Sequence, residues 1–349
     1  MILQNHFVDY ALFITFFPQL IAGPIVSHKQ ILPQLVKKHT SISIFYENMI
    51  KGLFAFSIGL FKKVAIADSL SIWVSHGFKL EGLHFIEAWQ TSLAYTLQLY
   101  FDFSGYSDMA IGLALLFNII LPHNFNSPYK ATNIQDFWRR WHITLSNFLL
   151  TYLYIPLGGS RQGNLRTYVN FLITFILGGL WHGAGWTFLF WGLLHGSALV
   201  IHRIWQQLGF TMHKVLAWII TFNFINFAWI FFRANSFNDA KKIIKGMLGL
   251  NNLGTFKTKI LELLSTLFID TIDPLAQIII PLTQITISLV WLYIIMSMAI
   301  ALYTRNTQEK INYFKPSIKN LMLAIFSFIW VYFVLIGESI TTEFLYFNF

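Results

Sequence analysis

The run Gly178-Gly179-Leu180-Trp181-His182-Gly183-Ala184-Gly185-Trp186 sets one histidine among glycines and tryptophans, inside a stretch from Thr167 to His202 with no acidic residue, lysine or arginine before its end. An imidazole titrates near neutrality and can take a proton from an attacking hydroxyl. Flanking glycines leave room for a substrate, and Trp181 and Trp186 are candidates to wall off water. An ionisable group in an apolar run is a candidate site by default. The pattern alone leaves two readings of His182 open: catalysis, or a hydrogen-bonded histidine that stabilises a helix break.

A second cluster is Gln135-Asp136-Phe137-Trp138-Arg139-Arg140-Trp141-His142. Arg139 and Arg140 beside Trp138 suit an anionic head group such as a lipid phosphate or a phosphopantetheine. Trp and Arg also gather at the bilayer surface as anchors, and anchoring is the favoured reading of the two arginines. His142 is harder to dismiss, because an apolar element begins directly after it. A third cluster is Tyr100-Phe-Asp-Phe-Ser-Gly-Tyr-Ser-Asp108. On a helix Asp102 and Asp108 lie about 240° apart, so they do not share a face or a metal unless Gly105 breaks the helix. A structural role is expected for both acids, each paired with a cation or capping a helix. His195 reads as a core histidine. No metal-ligand spacing and no Gly-rich phosphate loop is found, so no metal and no bound cofactor is expected.

These residues sit in a chain of 349 residues that is 56% hydrophobic and only 11% charged. Ordinary soluble domains carry about a quarter charged residues, so an integral membrane protein is expected. Lys and Arg exceed Asp and Glu by nine, but they are scattered in ones and twos, which argues against nucleic acid and for lipid head groups. The absence of Cys excludes disulfides and a Cys nucleophile.

The elements that must position the clusters are apolar helices. Clear candidate spans are Phe7–Ile25, Leu216–Phe232, Leu275–Thr304 and Asn320–Gly337, with Pro281 kinking or starting the third. Met49–Ala67 is a weaker candidate, interrupted by Lys62-Lys63. Trp89–Leu121 is apolar except for its two aspartates. Thr167–His202 would run about 54 Å as one helix, too long for an upright span. It must break, and the break is expected at residues 178–185, with His182 facing a lipid-shielded passage. Ile143–Ser160 reads as a re-entrant or interfacial helix, and Asp239-Ala-Lys-Lys-Ile-Ile-Lys as an amphipathic surface helix. No cleavable leader is expected. The fold class is all-α and polytopic, with roughly seven to nine membrane helices, some broken or re-entrant, in one domain over residues 1–349 whose motif-bearing core covers about 95–205.

Several motifs taken together resemble a known family. Phe101-Asp-Phe-Ser-Gly-Tyr-Ser-Asp-Met-Ala-Ile-Gly112, Asn124-Phe-Asn, Asp136-Phe-Trp-Arg-Arg-Trp-His142, Tyr154-Ile-Pro-Leu-Gly-Gly159 and Gly179-Leu-Trp-His-Gly183 resemble the membrane-bound O-acyltransferases, and within them the bacterial alginate O-acetyltransferase branch. Phe16-Phe-Pro-Gln-Leu-Ile-Ala-Gly-Pro24 and Phe344-Leu-Tyr-Phe-Asn-Phe349 match that branch too. The resemblance implies that His182 is the catalytic histidine and His142 the second characteristic polar residue. It implies transfer of an acyl group, in this branch acetyl, from a cytoplasmic thioester (an acyl-CoA or an acyl-carrier protein) through a tunnel to a hydroxyl of a cell-envelope polysaccharide. A second, extracytoplasmic transferase is the implied partner, and the bacterial inner membrane the implied location. The Phe-Phe-Pro-Gln-Leu motif falls at Phe16, where the family has several spans before it. The expectation is a shortened chain, or a partner that supplies those spans.

In the mechanism so implied, Arg139 or Arg140 holds the donor phosphate, Trp181 and Trp186 line the acyl path, His182 is the base and His142 orients the donor. The competing reading is a transporter or flippase in which Asp102, Asp108 and the histidines relay protons. A third is a scaffold without catalysis.

Overall fold

A backbone in lipid must satisfy its own N–H and C=O groups, which favours helices wherever the apolar runs are long. The computed structural model describes residues 7–20, 23–35, 41–251 and 274–337, and all regular structure among them is helical. Residues 252–273 and the Phe344–Phe349 motif lie outside the described residues.

The N-terminal apolar run does not form the expected span. Helix α1 covers only Phe7–Thr15, about 14 Å of rise, and the chain then winds one 3₁₀ turn over Phe17–Gln19. Pro18 is the reason, because it has no N–H to continue an α-helix. After α2 (His28–Leu35), α3 runs Ile42–Leu60 from a Ser41 cap. The α-helix ends just before Lys62-Lys63. The chain continues as a wider, π-wound segment, Phe61–Asp68, and passes into α4, Ser69–Lys79.

Helix α5, Phe85–Leu116, is the longest described helix and is buried along most of its length. It is continuous through Gly105, so Asp102 and Asp108 stay on different faces. Gly105 instead permits close contact with α3: a Cβ on it would lie 2.7 Å from the Gly59 carbonyl oxygen. Two short helices follow: α6 (Ile134–Trp138), capped by Asn133, and α7 (Ile143–Leu149), which widens into a π turn over Leu150–Tyr154. Helix α7 and its π turn occupy the first part of the stretch read as re-entrant, Ile143–Ser160.

The expected break in Thr167–His202 is present but lies later than read. Helix α8 covers Gly163–His182 and α9 covers Trp186–Gln207, so residues 183–185 turn the chain while Gly178 and Gly179 stay helical. Gly179 and Gly192 let the two helices meet backbone to backbone: a Cβ on either would lie 2.2 Å from a carbonyl oxygen, of Phe188 or Phe175 respectively.

Helix α10 (Lys214–Arg233) matches its expected span, and α11 (Phe237–Met247) follows. The apolar face of α11 does not lie free on a membrane surface. Ala240, Ile243, Gly246 and Met247 are buried, and Trp89 Nε1 of α5 donates to the Met247 carbonyl at 3.1 Å. Helix α12 (Pro274–Tyr303) starts before Pro281 rather than at it; α13 (Thr307–Asn312) and α14 (Ile318–Gly337) complete the described chain. Helices α9, α10 and α14 are long and apolar enough to cross a membrane.

Candidate active site

His182 is the last residue of α8, and the chain leaves the helix at Gly183. Its ring is packed edge-on against aromatics from three elements: Trp181 at 4.9 Å between ring centroids, Trp191 of α9 at 5.4 Å and Phe232 of α10 at 5.0 Å. His142 stands at the start of α7 with φ 42° and ψ 56°, a left-handed conformation that non-glycine residues seldom adopt. Neighbouring backbone holds it there. Ile143 N–H donates to the Asn124 carbonyl at 3.0 Å, and Asn126 N–H to the Arg140 carbonyl at 2.9 Å. Strain of this kind is kept only where surrounding structure enforces it, and it gathers at functional sites. Phe103 of α5 lies edge-on to the His142 ring at 4.6 Å.

The two imidazoles, 40 residues apart in sequence, thus share one aromatic chamber. Both face Trp181, whose ring centroid is 4.9 Å from that of His182 and 6.4 Å from that of His142. Each histidine is 3% exposed, whereas Trp181 is 54% exposed. Trp181 is therefore the cover between the pair and the surroundings. Neither histidine lines any of the cavities described among these residues.

A neighbouring cavity of about 280 Å³ is lined by Trp138, Arg139, Ser146, Tyr154, Thr174 and Phe175, among others. Arg139 is exposed and makes no ion pair among the described residues, while the Thr174 hydroxyl is buried without a partner. Arg140 turns away. Its Nε donates to Asp136 at 2.8 Å and its Nη1 to the Asn126 carbonyl at 3.2 Å, which fixes the loop that carries His142. Trp138 Nε1 donates to His195 Nδ1 at 3.2 Å, and His195 is fully buried. Trp186, at the first turn of α9, is 77% exposed and stands outside the chamber.

Asp102 and Asp108 are both ion-paired, Asp102 with Lys63 at 2.7 Å and Asp108 with Lys62 at 2.6 Å. The two lysines that looked like an interruption of a span are the partners of the two acids. No cluster of three or more potential metal ligands occurs among the described residues.

Four contributors escaped the sequence reading. Trp191 and Phe232 look like ordinary span residues, and only packing brings them to His182. Asn124 donates to Ser107 at 3.2 Å and accepts from Thr144 at 2.6 Å, joining α5, the loop and α7. The Asn124-Phe-Asn motif was the available signal for it, and Thr144 had none.

The profile of the membrane-bound O-acyltransferase family matches residues 4–238. The chain belongs to that family, and it is a polytopic, all-helical membrane protein. It is 61% identical over 254 residues to the peptidoglycan O-acetyltransferase of Helicobacter pylori, covering 71% of this chain and 48% of that protein. It is 43% identical over 244 residues to the "Probable alginate O-acetylase AlgI" of Pseudomonas aeruginosa, covering 70% and 46%. It is 25% identical over 249 residues to the teichoic acid D-alanyltransferase of Bacillus subtilis, covering 65% and 61%. The chain thus spans about half the length of the first two relatives.

Proposed function

We propose that this chain carries the catalytic core of an O-acyltransferase. It moves an acyl group, in our reading acetyl, from a thioester donor on the cytoplasmic side to a hydroxyl of a cell-envelope glycan. The observation that carries the proposal is the convergence of His142 and His182 in one aromatic chamber beneath Trp181. The 61% identity to a peptidoglycan O-acetyltransferase, against 43% to an alginate O-acetylase, favours peptidoglycan as the acceptor.

In this mechanism His182 takes the proton of the acceptor hydroxyl as that oxygen attacks the thioester carbonyl. The tetrahedral intermediate collapses, the thiolate leaves, and the imidazolium returns a proton to it. His142 lies close enough to orient the donor or to polarise its carbonyl. The free Arg139 guanidinium at the mouth of the neighbouring cavity suits the donor phosphate. With no Cys in the chain, the acyl group passes directly rather than through a protein thioester. In this reading the exposed Trp181 lies on the path by which the reactants enter. An extracytoplasmic second transferase and the bacterial inner membrane complete the reading. The relay needed by the transporter alternative is not favoured, because Asp102 and Asp108 are committed to lysines.

The test is mass analysis of O-acetyl esters in envelope glycans of cells expressing the wild type or His182→Ala. Loss of a general base lowers rate by about 10²–10⁴-fold, so ester should fall to background while membrane insertion is unchanged. A correctly inserted His182→Ala protein that acylates at the wild-type rate would overturn the reading.

A further inference from the structure

A cavity of about 200 Å³ lies between the π-wound end of α3, α5, the end of α12, α13 and α14. Neither histidine of the chamber lines it. Three cations do, Lys62, Arg305 and Lys310, and no Asp or Glu does among the described residues. The remaining wall is largely apolar, with Phe61, Leu323 and Phe326 prominent.

The cations are held differently. Lys62 Nζ is fixed by Asp108 at 2.6 Å and by Thr307 Oγ1 at 3.0 Å. The Arg305 guanidinium rests 5.9 Å from the centre of the Tyr313 ring. Lys310 is half-buried, and its ammonium has no ion pair or hydrogen bond among the described residues. Burial and then the nearby Lys62 charge lower its pKa, against an opposing pull from Asp108. Its neighbour Glu309 accepts from the Asn306 N–H at 3.1 Å and makes no ion pair with it among the described residues. Asp108 is committed to Lys62, so the half-buried Lys310 charge is costly unless a further anion joins it. Converging ammonium and guanidinium donors match the oxygens of a phosphate. The apolar wall and the exposed side chains that continue its face along α14, Trp330 and Phe333, match an attached hydrocarbon tail, with Trp330 5.7 Å from Phe326 between ring centroids.

We propose that this cavity binds the phosphate head group of an anionic lipid. The phosphate sits among Lys62, Arg305 and Lys310, and the tail lies along α14. The site is separate from the acyl-transfer chamber and does not depend on that reading.

The test uses the full chain in nanodiscs of phosphatidylcholine doped with phosphatidylglycerol, with retained phosphatidylglycerol per chain counted by native mass spectrometry. Lys310→Met and Lys310→Glu should each lower retention by about tenfold, as for one lost charge-assisted hydrogen bond. Lys245→Glu, an exposed change on α11, should not lower it. Removing an unpaired, half-buried charge should leave Lys310→Met at least as heat-stable as wild type in pure phosphatidylcholine, so misfolding would not mimic the result. Equal retention by wild type and both Lys310 variants would overturn the site. Displacement of the lipid by millimolar sn-glycerol 3-phosphate would overturn its assignment to a lipid and give it to a soluble phosphate.

Discussion

Lys63 Nζ lies 2.7 Å from the carboxylate of Asp102 and 2.6 Å from that of Asp68, so one ammonium from the π-wound end of α3 serves two acids. Asp102 is 1% exposed in the middle of α5, and Lys63 is only 13% exposed. Breaking a buried pair by removing one partner leaves an uncompensated charge. Lys63→Met strands two carboxylates and should cost about 3–5 kcal/mol. Asp102→Asn should cost less, because Asp68 still neutralises Lys63. Thermal unfolding in detergent or nanodiscs ranks the two, and the reverse order would contradict this arrangement.

His195 and His182 should separate stability from rate. Trp138 Nε1 donates to His195 Nδ1, so His195→Phe leaves a buried indole N–H without an acceptor. The expected cost is about 1–3 kcal/mol of stability, with residual transfer activity in the protein that folds. His182→Ala should do the opposite, abolishing transfer with a smaller change in melting temperature. Melting curves and ester assays on the same preparations provide the check.

The α8–α9 turn that holds His182 depends on a glycine contact. A Cβ at position 192 would lie 2.2 Å from the Phe175 carbonyl oxygen, which is backbone and cannot swing away. Gly192→Ala should therefore push the helices apart at a cost of about 1–3 kcal/mol, the usual range for overpacking. Activity should fall as well, since Trp191 and His182 shift with the helices. A melting temperature and ester yield both equal to wild type would count against the close packing.

His123 lies in the loop after α5, and burial lowers its pKa from the ordinary value of 6.5 against a weaker opposing pull from Asp108. A depressed pKa means the unfolded chain binds the proton more readily than the folded one. Stability is then present above about 6.5 and is lost as pH falls toward the folded value. His123→Gln should flatten the fall in melting temperature between neutral and mildly acidic pH. Parallel wild-type and variant curves would assign the pH dependence to other groups.

Much of the architecture was legible because helix in lipid is the backbone's own requirement. Leu216–Phe232 and Asn320–Gly337 coincide with α10 and α14 to within two residues. The interruption expected at Lys62-Lys63 appears as a change to π winding after Leu60, and the chain stays helical because Asp108 and Asp102 on α5 neutralise the two charges, partners that leave no mark near them in the sequence. The span expected over Phe7–Ile25 failed for a local reason, the missing N–H of Pro18, and the sequence carried that signal. At Gly105 a break stayed open in the sequence, because glycine weakens an isolated helix. In the fold its lack of a Cβ is used for contact with Gly59.

The residue types alone determined that this is a helical membrane protein and that no cysteine of this chain carries the acyl group, and they singled out His182 and His142 as candidates. A histidine in an apolar run is costly whatever surrounds it, so its presence is informative before any packing is known. Only the tertiary structure decided that the two rings share a chamber, that Trp181 covers them while Trp186 faces out, and that Lys310 has a second cation for a neighbour. These are relations between residues tens to hundreds of positions apart. Helix packing sets them, and no periodicity along one chain segment encodes a distance to another.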